Sequence, residues 1–284
     1  MTVLREVGAF LLPWTFSPAV FLACVGALVL YARGLASGRR PEPIAKRMAF
    51  SIGVALVYAV MQTRIDFLSQ HMFFIHRLQH LVLHHLGPFL IALSAPARVL
   101  AAGLSGEVRR TVTSFPGMRY VWAAYRLVQH PIVAPVLFVG LIAFWLTPTV
   151  HFAAMLNATL YDIMNWSMLL DGLLFWMLML DPRTRAEGAL TGFGLRILIV
   201  LAAIVPQILI GAHITFASAD LYDVYDVCGR AWDLPAGDDQ RIGGLIIWIP
   251  AAMMHVVAAL ILLRRWMHAD AGRTAVSAAT RARS

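Results

Sequence analysis

Four of the thirteen residues from His76 to Pro88, in the run HRLQHLVLHHLGP, are histidine. His76, His80 and His84 are spaced four apart, which on a helix puts all three on one face. His85 points about 100° away from that face. The flanking residues, QHMFFI and FLIALSAP, are apolar enough for a membrane segment. Ionisable groups at such depth are costly, and by default they mark function. Imidazoles one turn apart can share an ion. Imidazole with thioether suits copper, and imidazoles from two helices suit haem. A proton relay would use the same residues.

Further candidates lie outside this run. His255 follows Met253 and Met254, and His213 sits near the end of another apolar stretch. With His76 and His80 they extend the ligand set to His76, His80, His84, His213 and His255. A metal-bound imidazole usually has its second nitrogen held by a carboxylate or carbonyl. That role is open to Asp162, Asp171, Asp239 and Gln79. Blander readings compete. His255 alone is equally a polar link between helices, and Met168, Met253 and Met254 read first as packing. His71 and His151 read as solvated residues at the outer boundary.

These residues need elements to hold them. The 284-residue chain is 60% hydrophobic and 13% charged, with a mean hydropathy of +0.73. A soluble domain is about a quarter charged, so the composition is that of an integral membrane protein. Seven stretches of about 20 apolar residues qualify as spans: 14–33, 47–68, 70–94, 131–149, 157–180, 193–216 and 241–265. The expected fold is an all-α seven-transmembrane-helix bundle forming one domain over residues 1–268. Residues 95–130 are expected to form amphipathic surface helices, and residues 269–284 a disordered cytoplasmic tail.

Arginine and lysine set the orientation. They cluster in 34–46 (Arg39, Arg40, Lys46), 95–130, 181–192 and after 264. The alternate loops are poor in them, and 217–240 carries six aspartates against Arg230. The positive-inside rule puts the N-terminus outside and the C-terminus inside. The net charge of +8 therefore reflects cytoplasmic loops rather than nucleic-acid binding. At about 1.5 Å per residue, His76 lies roughly 9 Å below the outer boundary, and His84 and His255 both lie roughly 21 Å down. The third and seventh spans are expected to pack side by side. Cys24 and Cys228 are far apart and imply no thiol site.

Three blocks carry a resemblance: HRLQHLVLHHLGPFLIALSAP (76–96), NWSMLLDGLLFWMLMLDP (165–182) and DDQRIGGLIIWIPAAMMH (238–255). From about residue 50 to 266 the chain resembles the multi-spanning CtaG family of caa3-type cytochrome c oxidase assembly factors. Many relatives carry histidine where this chain has Asn165. The resemblance implies a non-enzymatic, multi-pass protein of the bacterial inner membrane. Its partners would be oxidase subunits, membrane lipid and periplasmic copper chaperones. The implied role is binding or delivering copper at the outer side, with His76 and His80 leading. The competing expectations are a haem-binding redox protein with histidine axial ligands, and a scaffold without cofactor.

Overall fold

The computed structural model describes residues 12–37 and 41–281; Arg39 and Arg40 lie outside the described residues. Among the described residues the chain is helical, with no strand beyond an isolated bridge between Pro13 and Thr63. α1 (Pro18–Ala36) begins at a proline, whose missing N–H costs nothing in a first turn. α2 (Ile44–Gln62) runs beside it. Gln62 ties the two together: its side chain accepts from Ser17 N and donates to Ser17 O, both at 3.2 Å. Thr63 caps α3 (Arg64–Ser69) by accepting from Ile65 N at 3.3 Å.

α4 (Phe73–Leu93) carries the histidine run. Met72, at its N-cap, offers no side-chain acceptor. The cap comes from far along the chain, where Asp239 accepts from Phe73 N at 3.0 Å and Phe74 N at 2.7 Å and pairs with Arg230. α5 (Ala97–Gly103) turns 76° from α4 and packs on α1. There Gly34 meets the Val99 carbonyl and Gly103 the Leu30 carbonyl, so closely that a Cβ has no room. α6 (Gly106–Ser114) and α7 (Met118–Val128) complete the amphipathic segment. α7 buries no residue and turns 77° into α8 (Val133–Leu146).

α9 (Pro148–Met155) and α10 (Ala158–Met179) follow, the latter capped by Asn157, which accepts from Leu160 N at 3.1 Å. α11 (Phe193–Phe216) and α13 (Ala236–Arg281) lie side by side, joined through α12 (Val224–Cys228). Gly211 packs against Trp248, and Gly244 against Thr215. Small residues at such a crossing let two membrane helices touch backbone to backbone. At the far end, Arg265 donates to Leu180 O at 2.6 Å, and buried Arg196 donates to Thr191 O at 2.7 Å and to the Asp181 carbonyl. These cations satisfy carbonyls just past the end of α10, at Leu180 and Asp181, and before α11, at Thr191.

Among the described residues, four helices are individually long and apolar enough to cross a membrane: α1, α2, α11 and the part Ala236–Ala271 of α13. Counting the bent pairs that contain α4 and α8 raises the number to six. α10 has the length but is not among them; it carries Asp162, Asn165 and Asp171. The fold is thus an all-α membrane protein with four to six spans by length and composition, where the sequence predicts seven. Over residues 269–281, α13 continues as helix to Arg281. That stretch is rich in alanine, the strongest helix former.

Candidate histidine core

The first part of the core is a pair of imidazoles, near the start of α4. His76 and His80 face each other from successive turns of α4, with Nε2 to Nε2 at 3.1 Å and both rings buried. Asn165 of α10 places Oδ1 3.1 Å from His80 Nε2. An amide oxygen only accepts, so His80 Nε2 carries the proton and His76 Nε2 presents its lone pair. The His151 ring stands 5.1 Å from that of His76, centroid to centroid. His151 is fixed by Tyr225 OH at 3.0 Å on one side and the Trp145 carbonyl at 3.1 Å on the other. Beneath this pair, Asp66 gathers Tyr161 OH at 2.8 Å, Gln79 Nε2 at 2.9 Å and Gln70 Nε2 at 3.1 Å.

The deeper part exists because α4 is not a regular α-helix. Between Leu81 and Leu86 it widens to a π-helix, and Gly87 N bonds back to Val82 O, five residues earlier. Pro88 explains the widening. It has no N–H for the His84 carbonyl, and its ring would press on that carbonyl in an α-helix. The orphaned His84 carbonyl instead accepts from Trp176 Nε1 of α10 at 3.2 Å. Gly172, one turn earlier in α10, makes the approach possible, since a Cβ there would lie 2.5 Å from the same carbonyl oxygen.

The extra residue in the turn brings both His84 and His85 into the interior. His84 Nε2 meets Asp171 Oδ2 at 3.0 Å, and its ring stacks on Phe138 at 4.0 Å. His85 Nε2 meets Gln207 Oε1 at 3.2 Å. The His85 ring lies 5.0 Å from that of His84 and 5.6 Å from that of His255. His255 donates from Nδ1 to the Ala251 carbonyl at 2.9 Å. Each of these rings gives one nitrogen to an acceptor. The other nitrogens, His84 Nδ1, His85 Nδ1 and His255 Nε2, are buried without a partner.

The predicted site residues therefore separate. His76 and His80 come together, as do His84 and His255 through His85, and Asp171 meets His84. His213 does not join them: it is exposed, lining an outward groove with Thr147, Pro148 and Leu209. Asp162 is exposed. Asp239 caps α4, and Gln79 serves Asp66 and the Val60 carbonyl, so neither touches a histidine. His85 and His151, expected to point away or into solvent, are both buried in the core.

Among the described residues, no group of three or more His, Cys, Asp or Glu is arranged to hold a metal ion. Once the His80 proton moves to the unpartnered Nδ1, the pair His76 and His80 offers two imidazole lone pairs and an amide oxygen, a donor set for an ion of low coordination number. The cavity lined by His80, His84 and His85 is about 30 Å³, far too small for a porphyrin, so these histidines do not fit haem in this arrangement.

Buried, tautomer-fixed imidazoles inside a bundle of apolar helices define a polytopic membrane protein with a polar core. A model of the cytochrome c oxidase caa3 assembly factor family (Caa3_CtaG) matches residues 29–269, and the chain belongs to that family. Neither a curated protein nor a solved structure matches the chain.

Proposed function

We propose that this protein serves oxidase assembly from the bacterial inner membrane by holding copper, as cargo, at the His76–His80 pair after it arrives from a periplasmic chaperone and before it passes to oxidase subunits. The observation that carries this reading is the 3.1 Å approach of the two Nε2 atoms, with Asn165 Oδ1 3.1 Å from one of them. Imidazole suits copper. The pair lies at the end of the bundle where the aspartate-rich segment sits, since Asp239 and Tyr225 both bind its immediate neighbours. Acidic residues around an opening raise the local concentration of cations. We further read the helices as seven spans, with the N-terminus and this acidic end outside.

The test is elemental analysis of the protein purified in mild detergent, with an optical spectrum alongside. About one copper per chain is expected, with no Soret band. His76→Ala and His80→Ala should each lose the copper and abolish oxidase activity in cells while the protein stays in the membrane. Full activity in both variants would remove the pair from consideration, and a metal-free, haem-free wild-type protein would leave the scaffold reading.

A further inference from the structure

Arg77 lies between the two histidine groups and is buried. Its Nε and Nη2 have no hydrogen-bond partner. Its guanidinium sits over the Phe73 ring at 5.1 Å, and Gly243 of α13 closes on its stem. Among the described residues no carboxylate is within ion-pair distance of it. The carboxylates of the core are engaged elsewhere: Asp66 with Tyr161 and Gln79, Asp239 with Arg230, and Asp171 with His84. The tyrosines around it are engaged too. Tyr222 OH donates to Leu146 O at 2.9 Å, Tyr161 OH to Asp66, and Tyr225 OH meets His151. Arginine stays charged at any relevant pH. A charge buried without a counter-charge is strongly unfavourable, above all inside a membrane.

Arg77 lines the 30 Å³ cavity together with His80, His84 and His85; the other walls include Ile142, Met168 and Ile247. A water needs about 10–15 Å³ of such space, so the cavity holds about two occupants of that size. Water alone cannot cancel the charge. The fixed cation excludes a metal ion from the same space. Sulfate or phosphate would be too large.

We propose that this cavity is a binding site for a small monovalent anion of chloride size, held by Arg77. One water beside it donates to the anion and to an unpartnered imidazole nitrogen of His84 or His85. The proposal holds whether or not the histidines bind copper.

The test uses full-length protein in detergent. Sodium chloride is replaced stepwise by sodium gluconate at constant ionic strength, and thermal unfolding is followed by tryptophan fluorescence. Chloride and bromide should raise the wild-type midpoint saturably, by roughly 5 °C at high excess over the dissociation constant. Arg77→Lys should keep a weaker halide dependence, and Arg77→Met should lose it. A wild-type midpoint indifferent to halide, or a shift retained in Arg77→Met, overturns the proposal. Where neither variant accumulates, crystals of the wild type grown in bromide decide: an anomalous peak at the guanidinium supports the site, and its absence there overturns it.

Discussion

At the residue scale, the His76–His80 pair depends on which nitrogen of each ring carries a proton. Asn165 fixes this by accepting from His80 Nε2, which leaves the His76 lone pair pointing at its neighbour. Copper takes both Nε2 atoms only once that proton has moved to the unpartnered His80 Nδ1, and Asn165 Oδ1 then stands beside the ion as a third, weaker donor. Asn165→Leu keeps the volume but removes the oxygen. Copper retention against a competing chelator should fall about tenfold, less than the complete loss expected for His76→Ala. Unchanged retention would mean that Asn165 is not part of the site. Spacing alone made His76 and His80 legible, because four residues on a helix return to the same face. It did not reveal His151. That residue sits on the short helix α9, packed under Tyr225, in a stretch that reads as a loop between spans. Nor did it reveal Arg77, since a single arginine among apolar residues carries no sign of whether a carboxylate awaits it.

At the element scale, the histidine helix and α10 are fitted to each other by three residues. Pro88 removes a donor, Trp176 replaces it, and Gly172 clears the space between them. Trp176→Phe leaves the buried His84 carbonyl without a donor, which costs about 1–3 kcal/mol. At roughly 2–4 °C per kcal/mol for a chain of this size, unfolding in detergent should shift down by several degrees. Gly172→Ala drives a methyl into the same carbonyl, and overpacking of this kind costs about 1–3 kcal/mol. If both variants melt with the wild type, the contact between α10 and the π-turn does not hold α4 in place. The sequence contains Pro88, Gly172 and Trp176 in plain view, but their partnership is tertiary. A period of 3.6 carried through the π-turn sends His85 the wrong way. The rotation of α11 carries a different signal. Its inward face is marked by polar residues rather than by an apolar stripe: Arg196 and Gln207, eleven residues apart and so on one side, both turn inward, while His213 lies off that side and ends up exposed.

At the scale of the whole molecule, charge sorts by end. The aspartate-bearing segment 217–240 meets the start of α4 and α9, while Arg196 and Arg265 gather around the loop after α10 at the opposite end. Loops distant in sequence thus meet according to their charge, as the alternation of arginine along the chain requires if all of it reports one membrane orientation. The helices themselves leave room for fewer crossings. Those passing by length and apolarity number four to six, and α10, with its two aspartates, decides whether the total is odd. An odd number puts the two termini on opposite sides. We expect α10 to cross, because Asp171 is spent on His84 and Asn165 on His80, so these two groups face protein, and Asp162, which is exposed, lies in the first turns of the helix. A reporter enzyme active only outside the cytoplasm should therefore work when fused after residue 225 and fail after residue 275. A second fusion within 183–187, on the other side of α10, should fail as well. Activity at 183–187 together with activity at 225 would mean that α11 does not cross between them, and activity after 275 would place the C-terminus outside. The first result would leave the acidic end outside but bring the loop after α10 to the same side; the second, with α13 crossing, would put the acidic end and its histidine pair on the cytoplasmic side, away from where copper delivery requires them.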